Sequence, residues 1–314
     1  MNNLPPPSYR RLYETGDLAA RVEQAWEILR SCTLCPRRCS IDRLQGEAGW
    51  CGSRDLPKVA SFGPHFCEEP ELVGRNGSGT IFFSNCTMRC EYCQNYEISQ
   101  CGRGEEIRCD DLARIMLALQ RQGCHNINLV SPTHYVPQIL RALLAAAEGG
   151  LAIPLVYNTG GYDLAETIRL LDGIVDIYMP DAKYGSDDAA RRFSHAPHYT
   201  RYMQESIREM HRQVGDLEVW DGLAVRGLII RHLVLPGGYA ESREVFRFVA
   251  DEISRDSYLN LMDQYRPEWH AVLRESGLPA AFSRPLNAAE FEEALGEARA
   301  AGLWRGLAPG GEEG

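Results

Sequence analysis

From Thr80 onward, short apolar runs alternate with longer segments whose apolar residues recur at helical spacing. The runs at 80–83, 126–130, 153–157, 174–178, 228–235 and 258–262 read as strands. Between them, 111–121, 136–148, 164–171, 200–214 and 242–253 read as helices, with Asp110 capping the first and Gly123 ending it. Strands alternating with helices in this way predict right-handed parallel βα units. The span from Thr80 to Tyr265 is too short for eight such units, so the expected α/β fold is a partial (β/α)6 TIM-like barrel. Functional residues then belong on the loops after strand C-termini.

The flanks follow different patterns. Residues 1–7 read as frayed, and 17–30 as an amphipathic helix capped by Asp17. Past Arg266, the stretch 287–299 reads as a helix capped by Asn287, and the Gly/Glu tail as disordered. The expected organisation is therefore a cysteine-rich N-terminal extension (1–78), the barrel (79–265) and a C-terminal helical extension with its tail (266–314).

Composition narrows the function. The chain has 314 residues, 24% charged and 44% hydrophobic, with no apolar run long enough to span a bilayer and no signal-peptide pattern at its start. A cytoplasmic protein without a membrane partner is expected. A formal charge of -10 makes nucleic acid an unfavoured partner, because phosphate binding requires a basic face. All 11 cysteines lie within the first 124 residues. In a reducing compartment that clustering points to metal or redox chemistry rather than disulfides.

Two cysteine sets stand out. Cys86, Cys90 and Cys93 follow the strand at 80–83 with C-x3-C-x2-C spacing. A structural zinc ion closes its shell with four protein ligands, whereas a four-iron cluster on three cysteines leaves one iron open for a small molecule. Upstream, Cys32, Cys35, Cys39 and Cys51 sit among glycines that let backbone wrap a tetrahedral centre. Zinc and a second 4Fe-4S cluster both fit four thiolates. His65 and Glu68, in the loop between the sets, read as solvated.

With Tyr92 directly before the third cysteine, the loop resembles the signature of the radical S-adenosylmethionine (SAM) superfamily. That resemblance implies a 4Fe-4S cluster whose open iron chelates SAM, and whose electron releases a 5'-deoxyadenosyl radical. Asn158-Thr-Gly-Gly161, Pro180-Asp-Ala-Lys183 and Arg231 before Pro236-Gly-Gly238 are similar to the strand-end segments of the pyruvate formate-lyase activating-enzyme branch. The N-terminal cysteines resemble an uncharacterised iron-sulfur subgroup of that branch. Carried over by position, Asn158 would contact SAM or its ribose, and Lys183 and Arg231 its carboxylate side. Where the branch has a G-G-E segment for the SAM amino group, this chain has Ser131-Pro-Thr-His-Tyr135, and Thr133 or a neutral His134 is expected to accept that hydrogen bond. The resemblance further implies an oxidoreductase fed by a reductant protein, flavodoxin or ferredoxin, with a glycyl radical enzyme as a candidate protein substrate. A non-catalytic iron-sulfur electron carrier is the competing reading.

Overall fold

The computed structural model describes residues 5–272 and 277–307; the Gly/Glu tail expected to be disordered begins at its edge, and its residues 308–314 lie outside the described residues, as do Met1–Leu4 of the expected frayed start. Nine strands form one sheet: β1 (Lys58–His65), β2 (Ser78–Phe83), β3 (Glu105–Glu106), β4 (Ile127–Val130), β5 (Leu155–Thr159), β6 (Ile177–Pro180), β7 (Glu218–Trp220), β8 (Leu223–Leu233) and β9 (Tyr258–Met262). The six strands expected from the sequence, β2, β4, β5, β6, β8 and β9, neighbour one another in chain order, and each pair is parallel. The three strands that were not expected pair antiparallel at the margins, β1 on β2, β3 on β1 and β7 on the start of β8. β1 escapes the apolar pattern because Ser61, Phe62 and Pro64 point a largely exposed face outward.

Period-two alternation assigns the faces. Ile81, Phe83, Ile127, Leu129, Leu155, Tyr157, Tyr178, Leu228, Ile230 and Leu259 share one phase and join the large core formed with the helices. Residues of the opposite phase, Val156, Ile177, Met179 and Ile229, form a second cluster closed by Leu72, Leu217 and Ala224. Leu72 belongs to the short helix Pro70–Val73. Its segment crosses this second face: Asn126 Nδ2 donates to Leu72 O at 2.9 Å, Asn260 Nδ2 to Glu69 Oε1 at 2.7 Å, and the Tyr258 hydroxyl to Glu71 Oε2 at 2.8 Å.

Several boundaries differ from expectation. Asp17 is the first residue of the helix Asp17–Glu27, and Gly16, in the left-handed region at φ 83°, caps it. Likewise Cys109–Arg121 starts one residue before Asp110, with Arg108 as its cap. In both cases the acid sits in the first turn, where the helix dipole favours it. The helix Ser8–Thr15 has no counterpart among the expected elements; it is anchored by fully buried Tyr9, whose hydroxyl donates to Ile153 O at 3.0 Å. Asn287 does cap the C-terminal helix Ala288–Ala300, accepting from Glu290 N at 2.9 Å. Residues from both flanks, Leu18 and Val22 on one side and Ala294 and Leu295 on the other, enter the same large core. No described helix is long and apolar enough to cross a membrane.

Candidate active site

The loop leaving β2 carries Cys86, Cys90 and Cys93 in half-buried positions. Asn85 turns the chain out of the strand at φ 72° and donates to Ser53 Oγ at 3.0 Å. Each thiol has a polar neighbour: Met88 N donates to Cys86 Sγ at 3.4 Å, Ser194 Oγ to Cys90 Sγ at 2.9 Å, and Ser99 Oγ lies 3.2 Å from Cys93 Sγ. Ser194 continues into a buried chain through Tyr184 to Tyr92, with hydroxyl separations of 2.6 Å at both links. Tyr92 packs in a tilted arrangement against Tyr265 and Phe282 at ring distances of 5.8 and 5.6 Å. Burial pushes the Cys86 thiol up to about 12 and the Cys90 thiol up to about 11. Such thiols stay protonated at neutral pH and ionise when a metal centre displaces the proton.

Lys183 lies beside this loop, its charge lowering the pKa of both Cys90 and Cys86. A ladder of polar contacts holds it there. Lys183 Nζ donates to Asp181 Oδ2 at 2.5 Å, Arg231 Nε to Asp181 Oδ1 at 2.9 Å, and Arg231 Nη2 to Asn158 Oδ1 at 2.7 Å. Burial opposes the Asp181 anion, but Arg231 and Lys183 outweigh it and hold the carboxyl below its usual range. Burial also opposes the Lys183 charge, yet Asp181 and Cys90 keep its pKa above the ordinary value. One carboxylate, Asp181, thus bridges Lys183 and Arg231 and fixes the Lys183 ammonium beside the thiol loop. β5 and β6 run past their expected ends because parallel register pairs Asn158 with Val130 and Met179, and Thr159 with Pro180. That extension aims Asn158 and Asp181 at Arg231. The turn between them needs glycine: at Gly161, with φ +76°, a Cβ would stand 2.1 Å from Asp181 O. The Tyr199 hydroxyl receives Lys183 N–H at 3.0 Å and lies 2.8 Å from Asp181 O, fixing both loops.

Thr133 and His134 are placed elsewhere. The Thr133 hydroxyl donates to Asp163 Oδ1 at 2.7 Å, and His134 Nε2 lies 3.0 Å from Ser84 O. Both residues are buried, and burial holds the His134 ring neutral, its pKa lowered to about 3. The neutral imidazole matches expectation, but neither side chain is open to receive the SAM amino group. The buried Asp163 they pack around organises Thr133, Thr159 and Tyr157 instead.

His134 does line a second site. Cys32, Cys35, Cys39 and Cys51 surround one cavity together with Arg37, Arg43 and His134. Arg43 is buried and donates to Arg54 O at 2.9 Å and His134 O at 2.6 Å, and among the described residues no carboxylate pairs with it. Arg37 joins the two cysteine sets: its Nε donates to Thr87 O at 3.0 Å, its guanidinium lies 4.1 Å from the Trp50 ring, and it senses Cys35, Cys86 and Cys39. Trp50 N donates to Cys39 Sγ at 3.5 Å. Among the described residues no three His, Cys, Asp or Glu side chains gather tightly enough to hold a single metal ion, in this set or in the loop after β2.

Sequence reasoning read Glu68 as solvated and passed over Glu69, Asn128 and Asn260. The Glu68 side chain is 8% exposed, not solvated as expected, and lies 3.8 Å from Arg231. For the two asparagines a signal existed, since each interrupts an apolar strand at the inward phase.

Residues 80–237 match the profile of the radical SAM superfamily. The uncharacterized protein MJ0674 of Methanocaldococcus jannaschii is 32% identical over 288 residues, covering 88% of this chain and 77% of that protein. A second protein of that organism, MJ0808, also uncharacterized, is 24% identical, covering 76% and 71%. Among solved structures, HydG, a maturase of the [FeFe]-hydrogenase, superposes with a TM-score of 0.47 at 10% identity over 69% of this chain and 47% of that one. The structure of anSMEcpe with bound AdoMet gives 0.44 at 10% identity over 69% and 55%. The profile match runs from inside β2 to the Pro-Gly turn after β8, taking in the thiol loop and every strand end described above, and this chain therefore belongs to the radical SAM superfamily.

Proposed function

We propose that the protein is an activating-enzyme-like oxidoreductase that cleaves SAM reductively at a 4Fe-4S cluster held by Cys86, Cys90 and Cys93. Membership of the superfamily implies the cluster and SAM. The observation that carries the finer reading is Lys183, a half-buried ammonium held by Asp181 beside two of the three thiols. When bound, cluster and SAM together supply a one-electron cleavage to methionine and a 5'-deoxyadenosyl radical, which takes a hydrogen atom from the substrate. The chain's own residues supply position and charge. Lys183 offers a point charge to the SAM carboxylate; Arg231 and Asn158 extend the polar rim; Tyr92 closes the loop from behind. The six parallel strands curl, in this reading, into the partial (β/α)6 barrel, and the face crossed by Leu72 is its interior. Electrons come from a flavodoxin or ferredoxin. The resemblance to activating enzymes makes a glycine of a glycyl radical protein one candidate hydrogen donor.

The four upstream cysteines form a second metal centre, a 4Fe-4S cluster in preference to zinc. Four thiolates around either metal make a net dianion, and Arg37 and Arg43, two guanidiniums at the cavity, supply the matching charge. Anaerobic reconstitution followed by SAM and dithionite tests the enzyme reading: 5'-deoxyadenosine and methionine are expected. A complete, reducible cluster that yields no 5'-deoxyadenosine above a protein-free control would favour the electron carrier.

A further inference from the structure

The segment crossing the inner face places two acidic side chains against otherwise largely apolar strands, with Asn260 and Arg231 as their strand partners. Glu69 is 4% exposed; its Oε1 accepts from Asn260, while its buried Oε2 has no hydrogen-bond partner. Glu68 lies beside it, 8% exposed at the side chain. Asn128, fully buried on β4, stands near enough to steady the Glu68 anion, yet by strict geometry neither its Nδ2 nor its Oδ1 completes a hydrogen bond. Leaving a buried polar atom unpaired is destabilising, and a polar ligand would complete the three such atoms of this floor.

The charge of this floor gives the ligand's sign. Among the described residues Glu68, Glu69 and Asp181 share two permanent cations, Lys183 and Arg231, with the His65 ring 4.0 Å from Glu68; with that imidazole neutral, one carboxylate is in surplus. Burial raises the Glu68 carboxyl above its ordinary value against the pull of Arg231, and a second cation would restore its anion. The floor is connected to the thiol loop through Arg231, Asp181 and Lys183. Arg231 and Lys183 are each 18% exposed at the side chain. Phe82, Val130 and Met262, in the same strand phase as Asn128 and Asn260, are half-buried.

We propose that Glu68, Glu69 and Asn128 form the recognition floor for a small-molecule substrate that carries a protonated amine on an aliphatic body. The ammonium sits on the carboxylates and the Asn128 Oδ1, and the carbon skeleton extends toward the thiol loop, where a C–H bond meets the site of SAM cleavage. This rests on the enzyme reading above and replaces the protein glycine as hydrogen donor.

Deuterium transfer tests it. Cells grown in deuterated medium give a small-molecule extract, which cation exchange divides into retained amines and unretained compounds; the protein fraction is kept separately. Each is incubated with reconstituted protein, SAM and dithionite, and the deuterium content of the 5'-deoxyadenosine is measured. The expected result is label from the retained amines, with the labelled share falling about tenfold or more in Glu69→Gln and in Glu68→Gln, the loss of a charged hydrogen bond. Iron content and a cooperative thermal transition check that each variant is folded. Label from the unretained or protein fraction, a labelled share as high in the two variants as in the unaltered protein, or 5'-deoxyadenosine that stays unlabelled with every fraction overturns the proposal. No 5'-deoxyadenosine under any condition overturns the enzyme reading itself, which is a separate and distinguishable failure.

Discussion

The two cysteine sets are neighbours joined by Arg37, yet their surroundings differ in kind. Around Cys86, Cys90 and Cys93 the nearest cation, Lys183, is neutralised by its own carboxylate, Asp181, and the thiols remain half-buried. Around Cys32, Cys35, Cys39 and Cys51 the cation Arg43 is buried against carbonyl groups with no carboxylate among the described residues. A cation that already has an acid can exchange part of that pairing for an arriving ligand. One that has none depends on the centre beside it for its countercharge. The first environment suits a site that turns over small molecules, the second a permanent anionic centre. Ligand number agrees, since three thiolates leave an iron open and four do not.

Replacing Cys86, Cys90 and Cys93 together by alanine gives the largest effect and breaks the comparison at its root: SAM cleavage falls to the protein-free background while iron persists at the second site. Iron analysis and 5'-deoxyadenosine assay check this, and retained zinc in place of iron would return the second site to a zinc clamp. Arg43→Met comes next. Removing a charge that supports a metal's ligands costs about 10–100-fold in metal affinity, so chelator competition should strip the second site while SAM cleavage survives. Lys183→Ala should weaken SAM binding about tenfold, the worth of roughly 1.4 kcal/mol, without loss of iron; an unchanged dissociation constant removes Lys183 from the site. The smallest effect is on pH dependence. The folded pKa of Asp181 is lowered, so its contribution to stability is complete above the unfolded carboxylate value of about 3.9 and is lost as pH falls through the lower folded value. Denaturant midpoints from pH 7 down to 3 should therefore decline less steeply for Asp181→Asn than for the unaltered protein.

Much of this was legible in the sequence because the signals are local. The thiol spacings, the apolar runs and the Asn287 cap each lie within a few residues, and the six parallel strands follow from alternation alone. What stayed hidden depends on register and on distant segments. Asn158 meets Arg231 across 73 residues, and only strand pairing brings β5 far enough for that. Glu68 read as a solvated loop acid, and Glu69 drew no reading, because nothing near them in sequence shows that Leu72, a few residues on, is drawn into the inner apolar cluster. Thr133 was read from its position after β4, and its bond to Asp163 could not be foreseen because that acid follows a different strand. Arg43 carries no sequence signal, since a buried arginine looks like an exposed one until its surroundings are known.

The asymmetry between the two sites is tested most directly by titrating SAM into the anaerobically reduced protein and following the paramagnetic signals of its iron-sulfur centres. The open site after β2 predicts that SAM alters the signal of one cluster, the one lost when Cys86, Cys90 and Cys93 are replaced, and leaves the other unchanged. Signals that ignore SAM altogether, or a SAM response that survives loss of those three cysteines, would contradict the account.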